Sequence, residues 1–274
     1  MRRGGRLAPL LIALLGPGCA AVHPAALRER ADLLTAAGTF RLTYGTGDEA
    51  SRDALERAIR AASPRLARWG ALRVPVRVLV LPSHEALEAA VNRHDFDWLR
   101  AWARYDQIYV QSPSTWSLLG ANPADVDELM LHELTHCVMY QRSAGAVDWS
   151  RKQIPLWFRE GMASVTASQG FRWLSLEELA RFYSERPGQD PVTNPDAFYR
   201  GQNTLVYGAS HHAFGFLIRR YGEEAVRRTM EGMARGAAFP EAFLAATGIS
   251  APAFVEDFKR YVRLRGFRPA PAAG

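Results

Sequence analysis

Cysteine is nearly absent: Cys19 and Cys137 are the only two in 274 residues. If Cys19 is removed or modified, no disulfide framework can form, even in an oxidising compartment. Long apolar runs are also missing. The longest lies near the N-terminus, from Leu7 to Leu15, too short to span a bilayer as a helix. No internal repeat appears, and no long basic run. The formal charge of +6 falls to +3 when Arg2, Arg3 and Arg6 of the N-terminal segment are set aside. The remaining arginines are interleaved with glutamates, so the clustered footprint of a nucleic-acid binder is lacking. A chain with 48% apolar and 23% charged residues is composed like a folded protein, not a disordered one.

The opening "MRRGGRLAPLLIALLGPGCAAVHP" has a basic start, an apolar stretch and then small residues, the pattern of an export signal over residues 1–21. Its end reads two ways. Cys19 after Leu15-Gly16-Pro17-Gly18 resembles a lipoprotein signal, in which the cysteine is acylated. Gly18 and Ala20 also form a small-x-small cleavage site. Either way the expected location is the periplasm or cell envelope, with a lipid anchor in the first case. One acyl chain holds a membrane weakly. The tail "RPAPAAG", within residues 267–274, is expected to be disordered.

Between these ends the pattern changes once. Residues 25–37 read as a short helix, "TFRLTYG" as a strand, and 48–69 as an amphipathic helix. "VPVRVLVLP" (74–82) is β-prone, "SHEALEAAVNRH" begins with a serine cap, and "YDQIYVQS" reads as a strand preceded by another near 98–103. Beyond Asn122 nearly everything looks helical. The expectation is an α+β protein with an α/β lobe over 22–120 and a helical lobe over 121–266, joined without a flexible linker.

The helical lobe opens on "LHELTHCVMY" (131–140). Asn122 can cap this helix, Pro123 suits its first position, and Asp125 and Asp127 favour its positive end. His132 and His136 then stand one turn apart on one face, where two imidazoles can reach one metal ion. Glu133 lies beside them, placed to take a proton from water. Cys137 is rotated off that face and is expected in the core. A catalytic zinc takes three protein ligands, so a third must come from elsewhere. A metzincin would supply a histidine at position 142, which is Arg142 here. Glu160 in "IPLWFREGMASVTAS" is the better candidate, on a helix started by Pro155, with Gly161 beside it permitting close helix approach.

HELTH followed by Trp157-x-x-Glu160-Gly161-x-Ala163 resembles the gluzincin metallopeptidases, specifically the peptidase MA-like group. The resemblance spans most of 38–265, though only the HELTH and WFREGMA pieces are specific. It implies a zincin-like fold: an N-terminal mixed sheet with helices, a mainly helical C-terminal half, and an active-site cleft between them. It also implies one Zn2+ per chain held by His132, His136 and Glu160. Peptide or protein substrates would be hydrolysed by a zinc-activated water with Glu133 as general base. Many gluzincins carry an acidic residue four positions after the third ligand, supporting a ligand histidine. Ser164 stands there in this chain, so that support must be weaker or come from elsewhere.

An oxyanion donor is still needed. Tyr207 in "YGASHHAF" is the leading candidate, with His211 and His212 as alternatives. Trp98, Trp102, Tyr105, Tyr109 and Trp116 form either core or a cleft wall, with strand 107–111 as an edge for β-pairing of a peptide. "SAGAVDWSRKQ" and "RPGQDPVTNPDAFYRG" are expected as loops around the cleft. The chain lacks a Gly-x-Met-Glu-Asn-like segment of the kind that holds a free amine in some gluzincin aminopeptidases, which favours an endopeptidase. The competing expectation is a catalytically weak or inactive envelope protein that keeps the fold as a binding module. Hydrolysis of a bond other than a peptide is a third.

Overall fold

The computed structural model describes residues 27, 29–199 and 201–266. The export signal over 1–21, Cys19 and the tail over 267–274 lie outside the described residues. None of the described helices is long and apolar enough to cross a membrane.

Five strands form one sheet: β1 (Glu29–Thr35), β2 (Gly38–Tyr44), β3 (Val76–Leu81), β4 (Ala101–Ala103) and β5 (Gln107–Gln111), in the order β1-β2-β3-β5-β4. The central pairs are parallel and the two outer pairs antiparallel, so the sheet is mixed. Helix α1 (Glu49–Leu66) crosses between β2 and β3, buries Leu55, Ile59 and Leu66, and packs on α3 (Pro123–Ser143). The Ser83 side chain caps α2 (His84–Val91) by accepting from the Ala86 N–H. This helix encloses a small apolar cluster of Leu81, Leu87, Phe96 and Leu99.

Residues 25–37, expected as a helix, instead contain β1. The Ala-Leu-Arg-Glu composition there favours helix weakly, but tertiary pairing outweighs it. The hairpin return pairs Thr35 with Gly38, where φ is 145°, a value that suits glycine. Leu33 then turns into the core while Asp32 meets Arg41 on the outer face, 2.9 Å away. A second correction concerns strand 107–111. It is not an edge, because β4 covers it; the edges are β1 and β4.

Beyond β5 the chain is helical: α3, α4 (Leu156–Thr166), α5 (Leu176–Glu185), α6 (Asn203–Ala234, broken at Gly222 where φ is 76°), α7 (Phe239–Thr247) and α8 (Ala251–Gly266). One continuous core joins the halves, running from Phe40, Val78 and Ile108 of the sheet through Leu134 and Cys137 to Phe158 and Phe214. Cys137 is fully buried, its thiol against the Arg104 carbonyl. Helix α4 lies between α3 and α6. Gly161 makes this possible: a Cβ there would stand 2.4 Å from the Ser210 carbonyl oxygen and 2.5 Å from the Phe214 Cβ. The close approach is therefore between α4 and α6, and it fixes the height of Glu160 relative to α3.

Candidate active site

Helix α3 begins as its sequence dictates. The Asn122 side chain accepts from the Ala124 N–H, Pro123 occupies the first turn, and Asp127 receives both bonds from Arg57 of α1 at 2.7 Å. The cap and this tie hold α3 so that His132 and His136 face α4, whose Glu160 turns back toward them. The Nε2 atoms of the histidines are 3.2 Å apart, and Glu160 Oε2 lies 3.4 Å from His132 Nε2 and 3.5 Å from His136 Nε2. All three side chains are buried.

Those separations test whether a metal fits. Tetrahedral bonds of about 2.0–2.2 Å put neighbouring ligand atoms roughly 3.3–3.6 Å apart. The triangle has that size, and its donor set, two imidazoles and a carboxylate, suits zinc. An Nε2 ligand must carry its proton on Nδ1. His132 Nδ1 sits 2.8 Å from the Gln169 carbonyl oxygen, the acceptor this tautomer needs. His136 Nδ1 is buried with no hydrogen-bond partner among the described residues. His136 stacks near Tyr140, with ring planes 14° apart.

The local field favours a cation at this point. Burial opposes a charged His132, but its bond to Glu160, the charges of Glu133 and Glu160 and the Gln169 bond prevail, and its pKa is pushed up to about 9. Burial likewise opposes a charged Glu160, yet the neighbouring histidines hold its carboxyl well below the usual range. Glu133 differs. Burial pushes its carboxyl up, helped by Glu160 and opposed by both histidines and by the Ala103 backbone N–H, which faces it.

Sequence reasoning missed Gln169. It lies in a 3-10 turn, Gln169–Arg172, after α4, and its amide nitrogen donates to Glu128 Oε1 at 2.9 Å. Arg172 bridges Glu128 to Asp125. A neutral amide thus connects His132 to a charged network, a support of the kind that orients metal-ligating histidines. Ser164 has no part in it. Its hydroxyl accepts from Trp173 Nε1 at 2.8 Å and meets His211 Nδ1 at 2.9 Å. Burial, with His212 nearby, lowers the His211 pKa to about 4, so the ring is neutral near pH 7.

His132, Glu133, His136 and Glu160 open onto a cavity of about 280 Å³ that Tyr140, Arg159, Tyr199 and Tyr207 also line. A second cavity of about 470 Å³ lies alongside, lined by Trp116, Glu128, Gln169 and Trp173 among others. Trp98, Leu99, Ala101, His132, Glu133 and Tyr207 border both.

Of the three oxyanion candidates, only Tyr207 reaches these cavities. His211 is held by Ser164, and His212 Nε2 lies 2.8 Å from the Leu174 carbonyl oxygen. Tyr207 is wedged between Trp173, stacked at 5.1 Å, and Trp98, edge-on at 5.9 Å, and its hydroxyl meets that of Tyr199 at 3.1 Å. Burial, then the charge of Glu160, raises the Tyr207 pKa well above that of a free phenol, so Tyr207 remains an O–H donor.

The aromatic cluster divides between the two expectations. Trp98 and Trp102 line the first cavity, Trp116 lines the second, and Tyr105 is core. Tyr109 packs on the small apolar cluster. The loop before α6 reaches the cavity through Asp196 and Tyr199. From the earlier loop, Trp149 packs on Tyr140 at 4.5 Å.

No protein-family profile matches the chain, and no curated protein does. Solved structures do. An M1 zinc metallopeptidase from Deinococcus radiodurans aligns over 88% of this chain and 53% of its own, with 16% identity and a TM-score of 0.44. A mutant M1 zinc metallopeptidase from the same organism aligns over 89% and 53%, with 15% identity and a TM-score of 0.44. A two-domain M1 zinc metallopeptidase mutant bound to L-arginine aligns over 86% and 51%, at 16% identity and 0.41. The chain spans about half the length of these structures. At such scores no residue role passes from them to this chain.

Proposed function

We propose that this chain is a zinc-dependent endopeptidase of zincin type. The observation that carries the reading is the triangle of His132 Nε2, His136 Nε2 and Glu160 Oε2, with sides of 3.2–3.5 Å, sharing its cavity with Glu133. A zinc ion held there supplies a Lewis acid that polarises a carbonyl and acidifies water.

This chain's residues do the rest. Glu133 takes the proton from the attacking water and passes it to the leaving amine. A carboxyl raised by burial suits both transfers better than one at its ordinary value. Tyr207 donates its O–H to the oxygen that gains charge, and Tyr199 positions that phenol.

Strand β4 presents the backbone. Arg104 N–H bonds the Gln107 carbonyl, and Gln111 N–H bonds the Arg100 carbonyl. By antiparallel alternation Arg100, Trp102 and Arg104 therefore face β5, and Ala101 and Ala103 direct their backbone groups outward. Ala103 meets Glu133, leaving Ala101 for an extended substrate. Two adjoining cavities, both bordered by His132 and Glu133, favour internal cleavage over removal of end residues.

The test compares wild type with Glu133→Gln for zinc content and for cleavage of a mixed peptide library read by mass spectrometry. Both are expected to hold one zinc per chain, and the variant to cleave roughly 10²–10⁴-fold more slowly. Internal cuts are expected, not stepwise trimming. Wild type that holds zinc but cuts nothing favours the binding-module reading. Wild type without zinc sinks the enzyme.

A further inference from the structure

One charged group of the first cavity has no role in the chemistry above. Arg159 precedes Glu160 on α4 and lines that cavity with Tyr140, Leu156 and Tyr199. A guanidinium carries five N–H donors and is always charged. The structure gives this one a single bond, from Nη1 to the Tyr140 hydroxyl, at a long 3.5 Å. Its Nε is buried without a partner, and it forms no ion pair among the described residues.

Other cations near the site differ. Arg172, which lines the second cavity, is held by Asp125 and Glu128, and Lys152 pairs with Asp148. A second cation, Arg93, borders the Arg159 cavity with its guanidinium 5.0 Å over the Trp102 ring. Of the cavity's acidic groups, Glu160 belongs to the triad, Glu133 faces the Ala103 N–H, and Asp196 stands exposed at the rim. Arg159 feels the charge of Glu160, but a partly buried cation with no carboxylate in bonding reach is unfavourable, and its fork of donors matches a planar carboxylate in two parallel bonds.

We propose that Arg159 is the specificity-determining residue for a substrate carboxylate on one side of the scissile bond. That carboxylate is an acidic side chain or the substrate's own terminal carboxylate. This rests on the peptidase reading and narrows its substrate class. The second cavity, whose Arg172 is paired with Asp125 and Glu128 and whose Arg100 is bonded to the Asp97 and Leu99 carbonyls, carries no such preference.

A matched peptide series tests it. Glu or Gln is placed at each position around one scissile bond, with a free or amidated C-terminus. Cleavage is measured with zinc-loaded protein, and affinity by calorimetry on Glu133→Gln. One position, or the free terminus, is expected to bind and react roughly ten- to a hundredfold better as the carboxylate than as the amide. Whichever responds identifies the source. Arg159→Gln is expected to shrink that ratio to about twofold or less, and Arg159→Lys, which keeps charge but not the fork, to retain part of it.

Wild type that treats Glu and Gln, or acid and amide, alike at every position overturns the proposal, whatever the variants do. So does a ratio that survives Arg159→Gln. Arg159-dependent carboxylate binding without any cleavage upholds this site and removes the peptidase reading. Cleavage without carboxylate preference does the reverse.

Discussion

The sheet half and the helical half contribute to the cleft in different ways. Every atom of the triad comes from α3 and α4, and the support for His132 comes from the turn that follows α4. The sheet half contributes no atom to the triad. It offers a wall: Trp98, the three residues of β4, and two backbone positions turned outward. Helices fix side chains at set heights through packing, which a metal triangle requires. An edge strand displays unpaired backbone groups, which recognition of an extended chain requires. Disturbing the helical half should therefore damage assembly and metal binding, and disturbing the sheet edge should damage substrate affinity.

The largest effect is expected at Gly161. An added Cβ meets the Ser210 carbonyl at 2.4 Å, and backbone on an adjoining helix cannot step aside as a flexible side chain would. Gly161→Ala should push α4 off α6 and lower unfolding stability by about 2–3 kcal/mol, despite alanine's better helix propensity. Gly215, also helical, has nothing within 4 Å of its Cβ position. Gly215→Ala should instead gain up to about 1 kcal/mol. Equal melting temperatures for the two variants would remove the packing argument.

Next in size is Gln169. Gln169→Ala leaves the triad intact but removes the acceptor of the His132 Nδ1 proton. Metal affinity, measured by competition with a chromophoric chelator, should fall about 10- to 100-fold. No change would mean that His132 is oriented by packing alone.

How these features show in the sequence follows the same division. Helix α3 was legible because Asn122 and Pro123 mark its start and the histidines share one face. Glu160 stands out in the sequence as a carboxylate on a helix with its own start signal, and the structure brings it beside the two histidines. Gln169 left no trace. Its position depends on Ser168, held in the left-handed region at φ 60° to end α4, and no periodic pattern reports that. In the sheet half β3 was plain, as a β-branched run ended by proline. β1 was not, because its helix-favouring residues become a strand only through pairing with β2. β4 falls inside the strand expected near 98–103 but has only three residues, and no local pattern reports that it pairs along the outer side of β5 and so removes 107–111 from the edge.

The smallest effect tests β4 directly. Proline keeps an extended backbone and lacks only the N–H, so on an edge strand its consequence depends on which way that N–H points. At Ala101 it points outward, and Ala101→Pro should fold normally while KM rises about fivefold, the value of one hydrogen bond. At Trp102 the N–H faces Tyr109 across the ladder. Trp102→Pro should loosen β4 itself, which amide hydrogen exchange at β5 would register. If Ala101→Pro leaves KM unmoved while Trp102→Pro raises it, the aromatic wall holds the substrate and the strand only carries that wall.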